Sequence, residues 1–142
     1  MNRNFDQYRE TQIKTASPGR LLLMLYDGAV RFINLAIKSL QAEPKDLEIA
    51  HNNIIKVQNI ITELTITLNM EKGGDIAVNL KEIYSFMRNH LVEGNLKKDA
   101  NILIEVKGLI EELRDGWREV VKKEEGFQEN QVSSLKNINI KG

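Results

Sequence analysis

Glu48-Ile49-Ala50-His51 has the spacing of half a metal site. A glutamate and a histidine three apart share one helix face. Two such pairs and two further glutamates hold a di-iron or di-manganese centre inside a helical bundle. Here the second half is missing, because the other histidine, His90, has Met87 three residues before it. Glu48 and His51 also fall beside the apolar stripe centred on Ala50 rather than on it. Both histidines are therefore read as surface residues, and no metal or other cofactor is expected. The chain has no cysteine, which excludes disulfides and thiolate ligands. No G-x-S-x-G, Walker or Rossmann pattern is present, and Gly73-Gly74 is too short to cradle a phosphate. Asp27 finds its simplest partner in Arg31, one helical turn on. With no catalytic set to position, the chain is expected to bind rather than to catalyse.

The elements read as four helices. Ser17 suits an N-cap and Pro18 the first helical position, where no backbone N–H is needed. The first helix is predicted over about 18–40, with Leu22, Leu25, Ala29, Phe32, Ile33, Ala36 and Leu40 on one face. A break with Pro44 follows. The second helix is predicted over about 46–69, where Leu47, Ala50, Ile54, Val57, Ile61, Leu64 and Leu68 alternate steps of three and four. Gly73-Gly74 is the next break, and Asp75 is expected to cap a third helix over about 75–93. Its face is Ile76, Ala77, Leu80, Ile83, Tyr84, Met87 and Leu91, and Gly94-Asn95 is expected to close it. Asp99 opens a fourth helix over about 99–123, with Leu103, Val106, Ile110, Leu113, Trp117 and Val120 inward. Short breaks force antiparallel neighbours. The fold class is therefore all-α, an antiparallel up-down four-helix bundle over residues 1–125. Residues 126–142 are polar and are read as a flexible tail, with room for a helical turn near Val132–Lys136.

Lys+Arg and Asp+Glu both number 20, so the chain lacks the basic surplus that phosphate contacts need, and no nucleic acid is expected. No stretch approaches about 18–20 uninterrupted apolar residues, so no membrane insertion is expected. The N-terminus lacks the apolar core of a signal peptide, which together with the absence of cysteine fits the cytoplasm.

More large aliphatics are present than four core stripes need. On the second helix Ile49, Ile55, Ile60 and Ile66 fall outside the stripe, and on the first Leu23, Leu35 and Ile37 widen the apolar arc. Phe86 and Ile104 do the same on the third and fourth. Paired helix flanks make grooves, and grooves lined with such residues accept amphipathic helices. The expected groove residues are Leu23, Ile37, Ile49, Ile55, Ile60, Ile66, Phe86 and Ile104. The same surplus also fits a helical self-association or adaptor module, which sedimentation of the free protein distinguishes.

The stretch Tyr8-Arg9-Glu10-Thr11-Gln12-Ile13, followed by Thr15 to Ala29 with Leu21-Leu22-Leu23-Met24-Leu25-Tyr26-Asp27-Gly28, resembles the opening of the flagellar secretion chaperones, the FliS family. Gly73-Gly74-Asp75-Ile76-Ala77-Val78-Asn79-Leu80 is similar to the family's third-helix entry. Leu109-Ile110-Glu111-Glu112-Leu113-Arg114-Asp115-Gly116-Trp117 is similar to its fourth-helix ending. The matches lie in order over about residues 8–117. One departure is Asn69 after Leu68, where the family often carries aspartate. It is expected to touch helix termination rather than function.

The resemblance implies a bacterial cytosolic, non-enzymatic chaperone for newly made flagellin. It would hold the disordered C-terminal segment of flagellin, prevent premature polymerisation and keep the client competent for flagellar type III export. The export gate and a regulatory co-binder of flagellin are the further partners the resemblance implies. The family's N-terminal segment folds over apolar surface, so Tyr8 and Ile13 are expected to shield part of the groove in the free protein.

Overall fold

A computed structural model describes the backbone of residues 17–141 and the side chains of residues 17–126. All four predicted helices are present: α1 Pro18–Gln41, α2 Leu47–Ile66, α3 Met70–Lys97 and α4 Ala100–Lys141. No strand occurs among the described residues. The chain divides into two compact units, one of Met24–Glu112 and the other of the residues flanking it on both sides.

Met24–Glu112 contains part of every helix, packed antiparallel, with α1 and α3 each against α2 and α4. Its core comes from four faces. Tyr26, Ala29, Ile33, Ala36, Ile37 and Leu40 of α1 meet Ala50, Ile54, Val57, Ile61 and Leu64 of α2. Ala77, Leu80, Tyr84, Met87 and Leu91 of α3 and Leu103, Val106 and Ile110 of α4 complete it. α1 and α3 are diagonal, and the buried hydroxyls of Tyr26 and Tyr84 meet between them at 2.5 Å. Among the described residues, no buried side-chain polar atom lacks a partner. In the flanking unit Leu23 and Val121 are buried, and Arg20 binds Glu125 through two hydrogen bonds of 2.7 Å. That hydrogen bonding holds the Glu125 carboxyl below its usual range and raises the Arg20 guanidinium. A lowered carboxylate stabilises the fold above its unfolded value, and the contribution disappears as pH falls through the folded one.

Helix starts follow the residues predicted for them, with one exception. The Ser17 hydroxyl accepts from the Arg20 N–H at 3.2 Å, and the Asp99 carboxylate from the Asn101 N–H at 2.9 Å. Asp46 caps α2 by accepting from Ile49 N–H. Asp75 does not cap α3. Asn69 does, accepting from Lys72 N–H, so the helix begins five residues earlier than the glycine pair suggested. Asparagine and aspartate both cap well, which accounts for the tolerance of Asn69 there. The glycine pair survives as a kink, with Gly74 at φ 52°, ψ −131° inside the helix. A side chain is strained in that region although nothing lies within 4 Å of an added Cβ. Gly74→Ala is therefore expected to lower stability by about 1–3 kcal/mol, measured as a shift in urea midpoint at unchanged slope.

Helix ends differ more. α2 stops at Ile66 rather than near Asn69. Thr65 and Thr67 turn their hydroxyls onto the carbonyls of Ile61 and Leu64, and Thr67 N–H closes on Glu63. Hydroxyls that bond nearby carbonyls compete with helix continuation. α3 passes through Gly94 and ends at Lys97, with Lys98 left-handed at φ 52°. Gly94 is a site of close approach instead of a stop: an added Cβ would lie 3.0 Å from Leu103 Cδ2 and 3.2 Å from Ile102 Cγ2. α4 continues past Lys123 to Lys141, because the lone Gly126 lowers helix propensity by only about 1 kcal/mol.

Three residues assigned to core stripes are exposed: Leu47, Ile76 and Val120. Leu47 is the first residue of α2, and Ile76 lies two residues past the Gly74 kink of α3. In α4 the buried position is Val121, not Val120. A straight helix drifts by about 20° per heptad from a three-four alternation, so the inward residue moves one place along after Trp117.

Candidate functional site

The surplus aliphatics divide between core and surface. Leu23 and Ile37, expected on the groove, are buried at 6% and 8% exposure and are core residues instead. α1 is apolar around most of its circumference, so periodicity does not fix which arc turns inward. The inward arc carries Leu23, Tyr26 and Ile37 and leaves Leu22, Leu25 and Phe32 half-buried. Tyr8 and Ile13 lie outside the described residues. Ile49, Ile66, Phe86 and Ile104 are exposed, and Ile55 and Ile60 are half-buried.

These surface residues fall on three flanks of the Met24–Glu112 unit. Between α1 and α2, Ile60 Cδ1 lies 3.4 Å from the Cβ position of Gly28, and the Phe32 ring carries Arg31 at 4.8 Å and Lys56 at 5.0 Å. By helical position Ile49 shares the side of α2 that carries Ile60 and Lys56, and Leu35 shares the side of α1 that carries Gly28 and Arg31. Each offers its carbonyl to a buried polar residue one turn on, Asn53 Nδ2 at 2.8 Å and Ser39 Oγ at 2.8 Å respectively. Between α2 and α3, His51 Nδ1 and Asn95 Nδ2 are 2.9 Å apart, and Lys98 Nζ donates to Asn95 Oδ1. Ile55 lies one turn beyond His51 on that edge. Between α3 and α4, Phe86 stacks on His90 with centroids 4.0 Å apart, and His90 Nε2 lies 4.0 Å from Glu105 Oε2, next to Ile104. Ile66 stands at the end of α2 and is 70% exposed.

The chemistry these flanks offer is adhesive. His51 is engaged with Asn95 and His90 with Phe86 and Glu105, so the two histidines occupy different edges of the bundle. Among the described residues, no three His, Cys, Asp or Glu side chains converge to hold a metal ion. No helix of the described residues is long and apolar enough to cross a membrane. Sequence reasoning missed Leu96, which is 82% exposed on α3. Its signal was the extension of the helix beyond Gly94, which the glycine concealed. It also missed the two cations over Phe32, because Phe32 had been assigned to the core.

Residues 1–124 match the family described as flagellar protein FliS. The chain is 37% identical over 120 residues to the flagellar secretion chaperone FliS of Bacillus subtilis, covering 84% of this chain and 87% of that one. It is 37% identical over 122 residues to the chaperone of the same name from Salmonella typhimurium, covering 85% and 88%. Against that of Campylobacter jejuni the identity is 32% over 119 residues, covering 84% and 91%.

Proposed function

The chain belongs to the FliS family of flagellar secretion chaperones, and we propose that it carries flagellin by holding the C-terminal segment on the flanks of its helical bundle. The match over residues 1–124 carries this reading. The exposed Ile49, Phe86 and Ile104 and the half-buried Ile55 and Ile60 supply the apolar surface that such a client needs. A segment disordered in the monomer folds as it binds, laying the apolar faces of short helices along the flanks. Ordering the segment consumes part of the contact energy, so binding stays releasable. In this reading the chaperone works in the cytoplasm by occupancy rather than catalysis. It prevents premature polymerisation and presents its client to the flagellar type III export gate, with a regulatory co-binder of flagellin as a further partner.

The test is calorimetric titration with a peptide of the flagellin C-terminal segment, followed by circular dichroism of the mixture. Saturable one-to-one binding with gained helicity supports the reading. A folded protein that does not bind the peptide and sediments as a dimer rejects it for self-association. Within the same reading, Tyr8 and Ile13 shield part of the apolar surface in the free protein. Removing residues 1–14 is then expected to tighten peptide binding or raise the fluorescence of a surface-binding dye. If neither changes, the shielding role is wrong.

A further inference from the structure

The α1/α2 flank combines exposed apolar surface with positive charge. Leu35 and Ile49 are 44% and 46% exposed, and Ile60 and Phe32 are half-buried between the helices. Arg31 from α1 and Lys56 from α2 both bring their charged heads over the ring of Phe32, at 4.8 Å and 5.0 Å from its centroid. Among the described residues, neither head is in an ion pair with a carboxylate. Attraction to the ring face favours keeping both heads over the seam. Two cations from different helices are thereby gathered beside one apolar strip.

We infer that this seam selects an amphipathic helix whose apolar stripe is flanked by carboxylates. The inference rests on the reading of the chain as a carrier of such a helix, and it names the charge of the segment that occupies this flank. An incoming helix that covers Phe32, Ile49 and Ile60 also takes water from Arg31 and Lys56. Removing water from a charged group is unfavourable unless a partner replaces it. A carboxylate one turn from the apolar stripe provides that partner. A lysine or arginine in the same place adds like-charge repulsion. The apolar strip supplies adhesion, and the two cations supply the choice of helix and its direction along the seam.

The test uses two synthetic amphipathic peptides with the same Leu/Ile stripe, one flanked by glutamates and the other by lysines at the same positions. Both are titrated into the full chain and into its Arg31→Gln/Lys56→Gln variant, with circular dichroism to verify that the variant is folded. The glutamate peptide is expected to bind the parent chain at least about 10-fold more tightly at low salt. In the variant that preference is expected to fall to within about 3-fold, and Arg31→Lys/Lys56→Arg is expected to restore most of it. Equal binding of the two peptides, no binding of either, or a preference unchanged in the variant overturns the inference. The flagellin C-terminal peptide is titrated in parallel. Its failure to bind counts against the flagellin reading, while the model peptides still decide the charge preference. Its binding without any charge preference between the model peptides counts against the seam alone.

Discussion

Glutamate at Ile49 or at Phe86 is expected to weaken binding of the flagellin C-terminal segment at least about 30-fold, and the double variant to abolish measurable binding. The two residues lie on different flanks: Ile49 shares the side of α2 that carries Ile60, which meets α1 at Gly28, and Phe86 stacks on His90, which faces Glu105 of α4, so one client helix does not cover both. Each is about half exposed, at 46% and 45%. A carboxylate there remains in water in the free protein, and the fold loses little. When a client helix covers the site, the same carboxylate loses that water and meets an apolar face of the client, at a cost of about 2 kcal/mol or more. The helical signal and melting temperature should stay close to those of the parent chain. Calorimetry measures the loss, and thermal melting by circular dichroism verifies the fold. Unchanged affinity in both single variants would show that the client uses neither flank. Buried Leu23 and Ile37 make the contrast: glutamate at either is expected to lower the folded stability rather than to weaken binding selectively, because both side chains are buried.

That contrast marks how far the sequence is legible. The four helices and most of their inward faces follow from periodicity, because α2 and α3 have polar residues on the opposite side. Ala50, Ile54, Val57, Ile61 and Leu64 are buried as their spacing predicts, as are Ala77, Leu80, Tyr84, Met87 and Leu91. α1 is different. Leu21 to Tyr26 are apolar in succession, so rotation by one residue leaves the pattern almost unchanged. The inward arc includes Tyr26, whose hydroxyl meets Tyr84 across the bundle. A partner 58 positions away in the chain is invisible to a local pattern. Glycine has the same ambiguity. Gly74 changes the chain direction as a break should, whereas Gly94 lets α4 come close and leaves the helix intact. The exposed apolar residues were legible as a surplus, and Ile49, Ile66, Phe86 and Ile104 are exposed. Their grouping into flanks depended on which helices are neighbours, and the charge beside Phe32 on a contact between α1 and α2.

Phenylalanine at Tyr26 or Tyr84 is expected to lower stability by about 1–3 kcal/mol without changing the helix content. The two side chains are 0% and 1% exposed, and their hydroxyls lie 2.5 Å apart between the diagonal helices. Neither hydroxyl reaches bulk water, so removing one takes from the other a partner that solvent does not replace. For a chain of this size that loss corresponds to a fall of roughly 3–10 °C in melting temperature. The double variant Tyr26→Phe/Tyr84→Phe should lose less than the two single effects together, because it removes both ends of the same contact. The difference, read from a double-mutant cycle by urea denaturation, isolates the contribution of the hydroxyl pair. Strict additivity would mean that each hydroxyl depends on its other surroundings and that the diagonal contact does not orient α1. The effect also reaches function. The rotation that buries Tyr26 is the one that puts Arg31, Phe32 and Leu35 along the α2 flank. Loosening the tyrosine contact should therefore weaken client binding by more than the reduced folded fraction accounts for. The comparison is made at a temperature where both single variants remain fully folded, with Ile54→Val as a destabilised control whose core contact does not set the rotation of α1.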